Sequence, residues 1–147
     1  MQILVKSTQI INKKYLSRAI INLGDIMDCI FCKIANKEFS SKAIYEDEFV
    51  LAFLDINPKV NGHTLIVPKK HYTDFTELSN DLLVHINDVA KKLSNILMDK
   101  LNATGISILV NYGTSQEVKH YHLHLLPLDS NYKEIKSIDE IYEILTK

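Results

Sequence analysis

Residues 119–127, read KHYHLHLLP, concentrate the reactive side chains of this chain. His120, His122 and His124 alternate there with Tyr121, Leu123 and Leu125. Alternation with a period of two belongs to a strand, where residues i, i+2 and i+4 share one face. The three imidazoles are thus expected in one row, about 6–7 Å apart at their α-carbons for a rise of about 3.3 Å per residue. Tyr and Leu then face the core. A buried imidazole without a partner costs on the order of 1–3 kcal/mol. Three in register on an apolar strand therefore point to a function rather than to packing. Two chemistries suit them: a metal cradle, or a nucleophile with its helpers.

Other polar residues adjoin the ends of expected strands: Asp55, His63, Asn111, Ser115 and Gln116. No acid stands next to the row as a general base. No serine sits in a nucleophile elbow, and no glycine-rich loop of Walker type is present. What remains is imidazole with neutral hydrogen-bond donors. Neutral imidazole is a nucleophile that titrates near working pH. Amide and hydroxyl donors suit the non-bridging oxygens of a phosphoryl group. Attack on phosphorus forms a phosphohistidine that water then hydrolyses, with Gln116, Ser115 and neighbouring imidazoles holding the developing charge. Separately, Cys29-Ile30-Phe31-Cys32 is a C-x-x-C pair. Such a pair is redox-active, metal-binding or simply buried. Four-coordinate zinc requires two further ligands, for which His71 and His120 are the candidates. Thioredoxin-type chemistry is disfavoured because no βαβ pattern surrounds the pair.

Several elements must position these residues. Residues 43–55 read as two strands around the turn Glu46-Asp47-Glu48. The turn-rich stretch 56–62 leads into a strand over His63–Pro68, which brings Asp55 close to His63. Leu82, Leu83, Ile86, Val89, Ala90, Leu93, Leu97 and Leu101 follow three-and-four spacing and predict a long helix over 79–101. Ser79 or Asn80 is its N-cap, and residues 102–105 end it. His85 is expected at the solvated edge of this helix, without a role. Ile106–Val110 is a strand pairing antiparallel with the histidine strand across a short loop. Ser137 and Glu140 form a capping box. It starts a short helix with Ile138, Ile141, Tyr142 and Leu145 on one stripe.

Length and charge set limits. A chain of 147 residues with 46% hydrophobic content makes one domain with tails. A formal charge of −1 gives no general affinity for polyanions, so no nucleic-acid partner is expected, although Lys69, Lys70 and His71 form a local basic patch. No apolar run reaches the roughly 18–20 residues that span a bilayer, and two neighbouring cysteines make no disulfide framework. Residues 1–26 hold Lys6, Lys13, Lys14 and Arg18 but no acid before Asp25. They read as an extension of a protein whose working part starts near Met27, the competing reading being a targeting segment.

The motifs together resemble the histidine triad (HIT) family of nucleotide hydrolases and transferases. The match runs from residue 29 to about 128. It includes Cys29 to Ile34, Tyr45 to Glu48, Leu51 to Ile56, Gly62 to His71 and the H-x-H-x-H of 120–124, in family order. The resemblance implies an α+β fold: an antiparallel sheet of about five strands, one long helix, and short N- and C-terminal helices. It divides the chain into an extension (1–27), the HIT domain (28–128) and a C-terminal tail with a helix (129–147). It implies that His122 attacks the α-phosphate of a purine nucleotide, either a nucleoside 5′-phosphoramidate or a dinucleoside polyphosphate. His124 then contacts the phosphate, with His120 and His63 in a supporting imidazole network. Asp55 matches the ribose-binding acid, with Ile56 beside the base or sugar. Asn111 and Gln116 match the phosphate and ribose contacts; Ser115, also expected at the nucleotide, stands where the family commonly has Gly.

The resemblance extends to the zinc-carrying bacterial branch. There Cys29, Cys32, His71 and His120 would form a structural Cys₂His₂ site, and no catalytic metal is required. The phosphoramidase-like branch further implies a homodimer, and a cytoplasmic location is expected. The competing reading is a non-catalytic nucleotide- or partner-binding HIT module. Its support is a departure from the pattern: Glu117 stands where the family usually has Ser or Thr, and a carboxylate there repels a phosphate oxygen.

Overall fold

A computed structural model describes residue 24, residues 28–129 and residues 134–147. The expected extension over 1–27 therefore lies almost wholly outside the described residues. The elements are α1 (Ile30–Ala35), β1 (Ala43–Glu46), β2 (Val50–Leu54), β3 (Thr64–Pro68), α2 (Asn80–Leu101), β4 (Gly105–Val110), β5 (Leu123–Leu128) and α3 (Ile138–Thr146). The five strands form one antiparallel sheet in the order β1-β2-β3-β5-β4. This is the α+β architecture expected from the sequence.

The near-continuous apolar runs of β2 and β3 have a simple cause: both faces of the sheet are covered there. Val50, Ala52, Leu54 and Ile66 join a core with Ile86, Val89, Leu93 and Leu97 of α2 and with Ile141 and Leu145 of α3. The alternate residues Leu51, Phe53, Leu65 and Val67 pack with Cys29, Phe31 and Cys32 at α1. At β2 and β3, α1 thus lies on one side of the sheet and α2 and α3 on the other.

Helix α2 starts at Ser79, whose hydroxyl accepts from the Leu82 amide, and stops at Asn102 in the left-handed region. The reciprocal capping box of Ser137 and Glu140 starts α3. Gly62 (φ +79) is required twice over: for its left-handed backbone, and because a Cβ there would run into the Leu101 side chain.

Two details differ from the sequence reading. The ladder of the histidine strand begins only at Leu123, where its pairing with both β3 and β4 begins, opposite Ile66 and Val110. His120 and His122 precede it in a segment that bends through His120 and is tied by the Tyr121 amide to the Tyr72 carbonyl at 2.7 Å. Nor is His85 merely solvated. Its Nε2 lies 2.7 Å from Asp47 Oδ2 and its ring packs edge-on against Phe49. Asp47 also accepts from the Phe49 and Val50 amides, so it fastens the β1–β2 turn onto α2. Among the described residues no helix is long and apolar enough to cross a membrane.

Candidate active site and metal centre

Cys29 caps α1 and Cys32 lies in its first turn, so their spacing of three puts both thiols on one side of the helix. His71 follows β3 and His120 precedes β5, and the sheet brings both to the same place. Cys29 Sγ is 3.4 Å from His120 Nδ1; Cys32 Sγ is 3.2 Å from His71 Nδ1 and 3.5 Å from His120 Nδ1. All four side chains are buried. Tetrahedral zinc with bonds of about 2.3 Å to sulfur and about 2.0–2.1 Å to nitrogen sets sulfur and nitrogen about 3.5 Å apart. The donor set and its spacing therefore fit Zn²⁺. The His120 Nε2–H donates to the Pro68 carbonyl at 2.8 Å, which leaves Nδ1 as the ligand atom. Burial, then the neighbouring Cys29, pushes the Cys32 thiol up to about 12. A bound dication would reverse this and hold the thiolates.

Beside this cluster lies a cavity of about 350 Å³, lined among others by Phe31, Asp55, Ile56, Lys59, His63, Asn111, Ser115, Glu117, His122 and His124. Its hydrogen bonds fix which nitrogen carries each proton. The Lys59 amide donates to His63 Nδ1 at 3.2 Å, so in neutral His63 the proton is on Nε2. That Nε2–H donates to His124 Nδ1 at 2.9 Å. The His124 proton is consequently on Nε2, a buried atom without a partner among the described residues. On His122, Nδ1–H donates to the His120 carbonyl at 2.8 Å, which leaves a lone pair on Nε2. The His122 and His124 ring centres are 4.8 Å apart.

Burial, first among the causes, lowers the basicity of all three cavity imidazoles: His124 falls to about 4, and His63 and His122 shift the same way. All three are neutral near pH 7. The site therefore presents one nucleophilic lone pair and one unmet N–H donor, side by side.

Of the residues expected at the site, the fold gathers Asp55, Ile56, His63, Asn111, Ser115, His122 and His124 around one cavity. It places His120 elsewhere. That ring has both nitrogens engaged, at the cysteines and at Pro68, and only its backbone carbonyl serves the cavity by holding His122. Gln116 is likewise apart: its side chain is buried and donates to the Thr73 carbonyl. It borders a different cavity, with Tyr112 and Lys119. Two contributors escape sequence reasoning. The Lys59 amide is a backbone group, which no residue pattern reports. Phe31, whose ring packs near-perpendicular to those of both His120 and His122, is hidden inside the C-x-x-C motif.

Fold and site together define an α+β protein of histidine-triad type. The HIT domain model matches residues 36–131, and the chain belongs to the HIT family. It is 46% identical over 118 residues to an uncharacterized HIT-like protein of Methanocaldococcus jannaschii, covering 79% of this chain and 91% of that one. It is 35% identical to the adenosine 5′-monophosphoramidase HNT1 of Saccharomyces cerevisiae, over 80% of this chain and 75% of the relative. Its fold is similar to the crystal structure of a Zn-bound histidine triad family protein from Mycobacterium smegmatis. The TM-score is 0.74 at 32% identity, with 82% of this chain and 91% of that chain covered.

Proposed function

We propose that the protein is a cytoplasmic nucleotide hydrolase or transferase that works at the α-phosphate of a purine nucleotide through a covalent nucleotidyl-histidine on His122. One observation carries this reading: the hydrogen-bond chain from Lys59 through His63 to His124, with the separate tie of His122 to a carbonyl. It leaves a lone pair and an unmet donor on two neighbouring rings that line one cavity. In the first half-reaction His122 Nε2 bonds to phosphorus as the bond to the leaving group breaks, and His124 Nε2–H hydrogen-bonds the departing atom. In the second, water attacks phosphorus and His122 Nε2 departs with its electron pair. Asp55 and Ile56 hold the sugar and base, and Asn111 and Ser115 the ribose and phosphate.

Zinc on Cys29, Cys32, His71 and His120 tethers α1 to the segment that carries His122. With four protein ligands it has no open position for chemistry. The Zn-bound relative from Mycobacterium smegmatis supports this metal. A homodimer is supported by the sheet edge, where Ile108, Leu109 and Val110 of β4 are exposed.

The test uses adenosine 5′-phosphoramidate labelled at phosphorus. Wild type should hydrolyse it and yield an acid-labile label on histidine. His122→Ala should lose turnover by about 10³-fold or more and take no label. Full turnover in that variant overturns the proposal.

A further inference from the structure

The geometry points to Glu117 as the residue that selects the leaving group. We propose that it favours nucleotides joined through phosphorus–nitrogen bonds to a positively charged amine, and disfavours those that release a phosphate chain. The inference rests on the nucleotidyl-transfer reading above and gives it a substrate class. Glu117 stands in the wall of the cavity that holds His122 and His124. Its side chain is exposed and, among the described residues, has no hydrogen-bond or ion-pair partner. The nearest cation in sequence, Lys119, is committed elsewhere, since its Nζ donates to the Gly113 carbonyl at 2.7 Å. The other carboxylate of the cavity is held: Asp55 Oδ1 accepts from the Asn57 amide at 2.9 Å, and Oδ2 is 3.6 Å from His63 Nε2. Glu117 is thus the acid of the cavity that no hydrogen bond holds in place, and its charge, like that of Asp55, acts on His122.

The balance of charge in the cavity points the same way. Two carboxylates face one lysine, Lys59, whose charge acts on His63 and His124. A polyphosphate leaving group would bring several more negative charges towards the untied acid beside the nucleophile. An amine chain that ends in an ammonium group would pair with it. Selection of this kind uses repulsion as well as attraction.

The step balances with water as the only further reactant. The His122 Nε2 lone pair forms the new bond to phosphorus, and the substrate's P–N bond breaks. Its electron pair stays on the departing nitrogen, which takes a proton from water and leaves as an amine; the hydroxide so formed attacks phosphorus in the second half-reaction and frees His122 Nε2. The distal ammonium rests against the Glu117 carboxylate throughout.

The experiment measures kcat/KM for three adenosine 5′-monophosphate derivatives: the amide of 1,2-diaminoethane, the amide of propylamine, and diadenosine triphosphate. Wild type should prefer the diamine derivative to the propylamine derivative by about tenfold or more. Glu117→Gln should shrink that ratio to within about threefold, and Glu117→Lys should invert it and raise the relative rate on diadenosine triphosphate. Labelled His122 with charge ratios unchanged in both variants would overturn the inference alone. No turnover of any of the three by wild type, with no label on His122, would overturn the underlying reading and this inference together.

Discussion

His71 and His120 stand with Cys29 and Cys32, while His63 and His124 stand with Asp55, and both groups bring their donor atoms within 4.8 Å. Spacing alone does not separate them. The first group is wholly buried and soft, and its sulfur–nitrogen distances of 3.2–3.5 Å leave room for an ion between them. In the second, two ring nitrogens are 2.9 Å apart, closer than the roughly 3.3 Å that two imidazoles keep around tetrahedral zinc. A proton links them instead. Histidine's role is set by its neighbours: thiolates recruit a cation, whereas a backbone N–H and a second imidazole relay a fixed tautomer to the cavity.

The sharpest way to break this contrast is to remove a thiol. Cys32→Ser should abolish zinc binding and lower stability by about 4 kcal/mol or more, since losing a metal is among the most damaging single changes. That corresponds to a melting point lower by about 10 °C or more. A strong chelator should do the same to wild type. His63→Ala should leave the metal content intact. Purified wild type without zinc by atomic absorption, and with an unmoved melting point in chelator, would leave the cysteine cluster as a buried thiol pair only.

The sequence makes much of this contrast legible, and for physical reasons. Period-two alternation marks the histidine row, three-and-four spacing marks α2, and Ser79 and Ser137 announce their helices by cap chemistry. What stays hidden depends on partners distant in the chain. The ladder at β5 stops at Leu123 on both sides, opposite Ile66 of β3 and Val110 of β4, although the alternation runs on to His120. Separating the duties of His120 from those of His122 requires Pro68 and the cysteines, and a row of three histidines contains neither. Gln116 turns to the Thr73 carbonyl, 43 positions away. His85 meets Asp47 only because the β1–β2 turn folds against α2.

Acid sharpens the contrast from the other side. Burial, then His122 and His63, holds His124 at about 4, below the 6.5 of an unperturbed imidazole. Between those values the unfolded chain binds a proton that the folded chain refuses. Stability is therefore full above about pH 6.5 and is lost as the pH falls towards 4. The loss from His124 should be on the order of 1–3 kcal/mol. Urea midpoints measured from pH 7.5 to 4.5 should fall less steeply for His124→Gln than for wild type, metal loss being common to both. Equal slopes would show that His124 is not the neutral end of the relay.

The smallest effect concerns the strap that braces only one of the two groups. Asn61 Oδ1 accepts from the Lys136 amide at 2.8 Å, and its Nδ2 donates to the Glu134 carbonyl at 3.2 Å. These bonds fix the segment before α3 to the loop that carries the Lys59 amide to His63. The cysteine cluster has no share in them. Asn61→Ala should cost about 1–2 kcal/mol of stability and lower turnover by roughly three- to tenfold as the His63 tautomer loosens. Its zinc affinity should match wild type. Asn61→Asp keeps the acceptor and loses the donor, so it should fall between the two. A drop in zinc affinity equal to the drop in turnover would mean that both groups share one brace, and the division between them would fail.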